Sequence, residues 1–259
     1  MYNIATPVSS LFSSFKNCES IISHSDCLEL RDSFKTKKSK FDKLYHFEFQ
    51  PIHHLSKQNF DLIEKTTNEN KYLELISFHM ASCFDKPKIL NGKFVSGGKS
   101  YTLEEMFSNA RKNFSVIKEI VGDSIKIAVE NNNYYKTPAY KYVTEPTFIN
   151  KIIFENNIFL LYDLAHGNIT AYNQGIDYNK YFNSLPINKI IQLHICRNGV
   201  KNNEAYDAHF IPNKKVLDEV RYILKKADNL KYLTLEYYKN VKKLIEGLIK
   251  LRETIENYE

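Results

Sequence analysis

Short apolar runs alternate along the chain with longer stretches of helical periodicity. The β-like runs fall at residues 2–6, 27–31, 44–49, 73–79, 125–130, 159–163, 190–195 and 232–237. Between them Leu103, Met106, Phe107, Ala110, Phe114 and Ile117 recur at the spacing of one helix face, and Val216, Leu217, Val220, Ile223 and Leu224 form a second such stripe. Val241, Leu244, Ile245 and Leu248 make a third, placed to close against the first strand. Strands that alternate with helices predict parallel βα units, and eight units predict an α/β fold closed into a (β/α)8 TIM barrel. The 259 residues match one barrel of roughly 250, so residues 1–259 are expected to form a single domain.

Two segments between these elements are long and polar. Residues 82–102 carry Pro87, Gly92, Gly97 and Gly98, and residues 197–212 are rich in Asn, so both are expected to be loops that cover a pocket. Residues 131–146, with Tyr134, Tyr135, Tyr140 and Tyr142, are expected to line it.

Composition narrows the setting. No stretch approaches the roughly 18 apolar residues of a membrane span, and no secretory signal is visible, so a soluble cytoplasmic protein without membrane contact is expected. Cys18, Cys27, Cys83 and Cys196 have no C-x-x-C spacing and read as reduced core or near-site thiols. The excess of 36 Lys and Arg over 30 Asp and Glu gives a net charge of +6. Its densest cluster is Lys35, Lys37, Lys38, Lys40 and Lys43, a pattern that usually marks a solvated face rather than a nucleic-acid site.

Chemistry gathers where the apolar runs end. The run Leu160-Leu161-Tyr162-Asp163-Leu164-Ala165-His166 closes on a carboxylate and an imidazole, and His46, His79, Glu130, His194 and Glu236 also stand at run ends. Asp207-Ala208-His209 adds a pair in the second polar segment. The C-terminal ends of barrel strands are where this fold places its active sites. Buried carboxylates and imidazoles must be paired or bound to a cation, so the set predicts a metal centre. It is too large for one ion and contains no thiolate. Two or three ions bridged by a carboxylate such as Glu130 are expected, with iron, manganese or zinc all compatible with the donors. Phosphate-binding glycine loops, G-x-S-x-G and H-E-x-x-H are absent. His53 and His54 follow Pro51 and are expected at the surface or at a helix cap, while Glu29 and Arg31 either pair within the barrel or touch substrate.

At these residues the chain resembles the multinuclear non-haem iron-dependent oxidative enzymes, the group that includes the methanobactin-biosynthesis oxidase, within the xylose-isomerase-like TIM-barrel superfamily. The likeness is carried by Val129-Glu130-Asn131, Leu160 to His166, Ala171-Tyr172-Asn173-Gln174-Gly175, Leu185-Pro186, Gln192-Leu193-His194, Tyr206-Asp207-Ala208-His209 and Thr234-Leu235-Glu236. Shorter matches surround His46 and His79. The resemblance implies metal ligands at His46, His79, Glu130, Asp163, His166, His194, Asp207, His209 and Glu236, with Glu130, Asp163 and His194 central to catalysis. It also implies two or three iron ions, dioxygen as cosubstrate, a Cys-containing precursor peptide as substrate, and a separate peptide-recognition partner protein. The sequence departs from the pattern at His194-Ile195-Cys196-Arg197-Asn198, where the group usually has His-Leu-Ala-Gly-His, and at His166, where many members have Asn. A second likeness is to endonuclease-IV-type hydrolases, which would use zinc on a phosphodiester and so require nucleic acid as partner. A sugar isomerase-like metalloenzyme is a third alternative.

Overall fold

Each of the eight apolar runs becomes a strand of one closed parallel barrel in the computed structural model, which describes residues 2–34 and 38–256. The strands are β1 (Asn3–Pro7), β2 (Cys27–Arg31), β3 (Asp42–Phe47), β4 (Leu75–Phe78), β5 (Lys126–Glu130), β6 (Phe159–Asp163), β7 (Ile190–Ile195) and β8 (Tyr232–Leu235). Each pairs with the next in sequence, and β8 returns to β1 with Asn3 opposite Tyr232. Eight helices are described around them: α1 (Phe15–Ile22), α2 (Lys57–Glu69), α3 (Leu103–Val121), α4 (Pro146–Glu155), α5 (Leu164–Gln174), α6 (Tyr178–Asn183), α7 (Lys214–Leu224) and α8 (Val241–Glu256). None of them, among the described residues, is long and apolar enough to cross a membrane. Lys35 and Lys37 of the basic run lie outside the described residues.

The predicted stripes face inward. Met106, Phe107, Ala110, Phe114 and Ile117 are buried along α3, which starts with a reciprocal Thr102 and Glu105 capping box. A large apolar cluster fills the layer between helices and barrel. Inside the barrel a separate plug takes one side chain from every strand: Ala5, Cys27, Leu44, Leu75, Ala128, Leu161, Ile191 and Tyr232.

The plug sets the floor of the site. Side chains on a strand repeat every two residues, so the inward positions one step above it hold Glu29, His46, Ser77, Glu130, Asp163 and Thr234, all buried. On β7, Gln192 lies level with Leu161 and Tyr232, and His194 lies level with Asp163 and Thr234. One strand period thus separates an apolar layer from a layer of carboxylates and imidazoles.

The two polar segments are not plain loops. Residues 82–102 contain a hairpin, Lys88–Leu90 with Lys93–Val95, turned by Asn91 at φ 51° and Gly92 at φ 75°. Residues 197–212 contain a longer one, Arg197–Lys201 with Glu204–Phe210, turned by Asn202 at φ 52° and Asn203 at φ 57°. Two successive residues with positive φ make the tight turn that matches strand twist, which is why Asn and Gly stand there. Asp207 and His209 therefore belong to a strand, not to a loop.

Helix α5 carries His166 directly out of β6. Its first turn lies so close to its own strand that a Cβ added at Gly167 would stand 2.1 Å from Tyr162 Oη, on a side chain that is fully buried. Replacing Gly167 with Ala should therefore push α5 away from β6 and cost about 1–3 kcal/mol, as overpacking of a filled core does. Urea unfolding is the check; a variant as stable as wild type would mean that α5 can shift freely.

Candidate metal centre

Glu130, at the end of β5, is the hub of the layer above the plug. Its Oε2 lies 2.9 Å from His79 Nδ1 and 3.5 Å from His46 Nε2, while its Oε1 lies 3.0 Å from His194 Nδ1 and 3.9 Å from His166 Nδ1. The donor atoms of His46, His79 and Glu130 fall within 4.8 Å of one another, and so do those of Glu130, Asp163 and His166. One carboxylate is thus shared by two donor groups.

From there the contacts continue around the mouth. His166 Nε2 is 3.7 Å from Asp207 Oδ2, Asp207 Oδ1 is 3.3 Å from His209 Nδ1, and His209 Nε2 is 3.6 Å from Glu236 Oε2. His194 Nδ1 closes the ring at 3.4 Å from Glu236 Oε1. Every residue predicted as a ligand is therefore part of one continuous cluster. His209 joins it from the second hairpin with φ at 42°, a left-handed backbone that a non-glycine residue adopts at a cost of about 1–3 kcal/mol and that is commonest at functional sites.

A further set of contacts fixes the orientation of these groups. His194 Nε2 bonds Glu29 Oε2 at 2.8 Å, which turns Nδ1 toward the centre, the arrangement by which a carboxylate orients a metal-binding imidazole. Gln192 also donates to Glu29 Oε2, at 2.5 Å. Arg31 holds Glu29 Oε1 at 2.6 Å and bonds Glu236 Oε1, to which Tyr238 Oη also donates at 2.9 Å. Of the two readings for Glu29 and Arg31, pairing within the barrel is the observed one. His46 Nδ1 meets Ser77 Oγ at 2.8 Å, and His166 Nδ1 meets the Asn131 carbonyl at 2.9 Å.

Asp163 tests whether a cation belongs here. Its Oδ1 caps α5 by accepting from His166 N at 2.7 Å, but Oδ2 is buried without a hydrogen-bond partner. A buried carboxylate oxygen left unpaired is expensive, and a cation among Glu130, Asp163 and His166 would satisfy it. The donors present fit a metal.

The ionisation states follow the same logic. Burial, opposed by His166 and reinforced by Glu236, Glu130 and Asp207, raises the Asp163 carboxyl to about 7. Burial also works against ionised Glu130, yet bonds from His194 and His79 hold it well below the usual carboxylate range. Against burial, bonds to Glu130 and Glu48 raise His79 to about 9. Burial and the neighbouring His79 lower His46 to about 3. For Glu29, burial is outweighed by His194 and Arg31, which hold the carboxyl at about 2.

The centre opens into a cavity of about 460 Å³. His79, His166, Asp207 and His209 lie on its floor and side, and Ile89, Gly92 and Phe94 of the first hairpin form its rim together with Tyr140. The first hairpin is tied down by Thr137, whose hydroxyl donates to the Phe94 carbonyl at 2.6 Å, and by Tyr140, whose Oη accepts from Phe94 N at 2.9 Å. Of the four tyrosines expected to line the pocket, Tyr140 is the one that does.

His53 departs from expectation, whereas His54 is exposed as expected. His53 is buried, stacks on Tyr101 with centroids 5.1 Å apart, and bonds the Ser82 carbonyl at 2.8 Å. It anchors the base of the 82–102 segment and is no member of the cluster. Glu29, Gln192 and Tyr238 serve the centre but were not among the predicted site residues. The first two are polar residues flanked by apolar neighbours in the middle of their strands, and that position is the available signal.

Comparison with known proteins adds a family match, one relative and two solved structures of the same fold. A family model described as "RiPP precursor modification enzyme MbnB/TglH/ChrH" matches residues 98–256. A UPF0276 protein of Acaryochloris marina (strain MBIC 11017) is 26% identical over 98 residues, which span 38% of this chain and 35% of that protein. Among solved structures, a D-tagatose 3-epimerase-like protein superposes with a TM-score of 0.64 at 17% identity, covering 98% of this chain and 97% of the other. A xylose isomerase-like TIM barrel protein from Mycobacterium smegmatis, in complex with magnesium, does so with 0.64 at 8% identity, covering 100% and 98%. These likenesses place the fold among xylose isomerase-like TIM barrels.

The titration of the cluster has a consequence for the metal-free protein. A histidine held protonated by folding, as His79 is, adds stability that is complete below its unfolded value of 6.5 and is lost as pH rises through about 9. Asp163, held protonated up to about 7, acts in the same direction at the lower end of that window. Chelator-treated protein should therefore unfold at progressively lower urea as pH rises from about 6.5 to about 9, and added divalent metal should flatten the dependence, because it binds the deprotonated donors. A chelated protein whose midpoint is constant or rises over this range would contradict the assignment.

Proposed function

Because the chain belongs to the RiPP precursor modification enzyme family MbnB/TglH/ChrH, which acts on the precursors of ribosomally synthesised and post-translationally modified peptides, we propose that it is a multinuclear non-haem iron enzyme that uses dioxygen to oxidise a cysteine of a precursor peptide. The observation that carries this reading is the sharing of Glu130 between two donor groups, an arrangement suited to bridged ions. His46 and His79 would hold one ion with Glu130. Asp163, His166 and His194 would hold the next. Asp207, His209 and Glu236 supply donors for a third.

Bound iron would supply the change of valence that dioxygen chemistry requires and an electrophilic partner for a substrate thiolate. The protein's own contribution is positional. Glu29 and Arg31 keep His194 in one orientation, Asp163 is fixed by its capping bond, and the plug beneath closes the barrel to water from below. A cavity of about 460 Å³ admits a cysteine side chain and its flanking backbone. Ile89 and Leu90, 71% and 60% exposed at the first hairpin, offer an apolar edge to such a segment beside the cavity. Delivery of the precursor by a separate peptide-recognition protein fits this open rim, and one barrel domain over residues 1–259 in the reducing cytoplasm completes the proposal.

Zinc or manganese would suit the same donors, but zinc cannot change valence. Iron-reconstituted protein should consume dioxygen in the presence of a Cys-containing precursor peptide and alter its mass, while the zinc form stays inert; oxygen uptake and mass spectrometry read the two arms. Anaerobic cleavage of abasic DNA by the zinc form, with no change to the peptide in the iron form, would instead establish a phosphodiesterase.

A further inference from the structure

We propose that Cys196 is a metal ligand, forming with His209 and Glu236 a thiolate-containing site for a divalent transition-metal ion at the end of β7. The inference rests on the reading of the cluster as a metal centre and replaces the all nitrogen and oxygen donor set expected from sequence with a mixed one. Cys196 is fully buried immediately beyond β7, and its sulfur, a His209 nitrogen and a Glu236 oxygen all lie within 4.8 Å of one another. This trio comes from three separate elements: the end of β7, the second hairpin and the residue after β8.

The surroundings leave the right atoms available. Arg31 and Tyr238 both bind Glu236 Oε1, which leaves Oε2 facing His209 Nε2 at 3.6 Å. His209 reaches Glu236 from the second hairpin, where its backbone is left-handed at φ 42°. Binding would form the sulfur–metal bond and release the thiol proton to water, with no change of oxidation state. Among imidazole and carboxylate donors, one thiolate favours zinc, ferrous iron or cobalt over magnesium and calcium.

Cobalt(II) is the probe, because thiolate ligation gives a near-ultraviolet charge-transfer band that nitrogen and oxygen donors do not. Cobalt-loaded wild type should show this band, and Cys196→Ser should lose it while retaining the visible bands of cobalt at the other donors. Absence of the band in cobalt-loaded wild type, or its persistence in the serine variant, overturns the assignment. Failure of wild type to take up any cobalt overturns the metal-centre reading itself. Zinc-edge X-ray absorption on wild type provides the same decision without a variant: a sulfur scatterer at about 2.3 Å supports Cys196 ligation, and a shell of nitrogen and oxygen alone rejects it.

Discussion

Burial of carboxylates on the barrel axis is the constraint from which the rest of the site follows. Glu29, Glu130, Asp163 and Glu236 are each at most 4% exposed, and Arg31 is the guanidinium that reaches two of them. Charges taken out of water cost several kcal/mol each unless they are compensated in place. The protein compensates with imidazoles drawn from β3, β7, the residue after β4, the first turn of α5 and the second hairpin. That solution holds the chain ends of five different elements to one point. It remains incomplete at Asp163 Oδ2, where a cation would supply the missing partner.

Order within the cluster is imposed from outside it. Arg31 fixes Glu29, Glu29 fixes His194, and His194 then presents its other nitrogen to Glu130. The capping bond of α5 does the same for Asp163, using one oxygen for the helix and leaving the second for the centre. Local folding rules and site geometry are met by the same side chain there, so α5 cannot shift without moving both Asp163 and His166. The close seat of Gly167 on Tyr162 adds a steric limit to that coupling.

Strands and the candidate ligands that cluster at their ends were legible because they share one signal. A buried parallel strand reads as a short apolar run, and a polar residue at its end breaks the run where the barrel opens, so β5 with Glu130 and β7 with His194 announce both element and site. Other residues gave no such break. Glu29 and Gln192 interrupt their strands in the middle, where a single polar residue reads as a local exception until the partner across the barrel is known. Both hairpins were obscured by polar composition, although Asn91-Gly92 and Asn202-Asn203 are turn pairs whose positive φ produces the hairpin. In sequence Cys196 is one more core or near-site thiol, since its relation to His209 and Glu236 depends on how the second hairpin folds back.

The same hairpins separate the scaffold from its chemistry. Sugar epimerase-like barrels share this fold at a TM-score of 0.64 and 17% identity, and a likeness at that level carries topology but no reaction. What a barrel does is decided by side chains at strand ends and by the segments that cover them. Here one of those segments ties Phe94 to Tyr140 and Thr137 at the cavity rim, while the other inserts Asp207 and His209 into the cluster. A sugar-sized substrate handled by one ion would leave the second hairpin's donors without a task. On the proposed reading, a peptide cysteine engaged by bridged ions would give each of them one, and Ile89 at the cavity rim would face such a peptide.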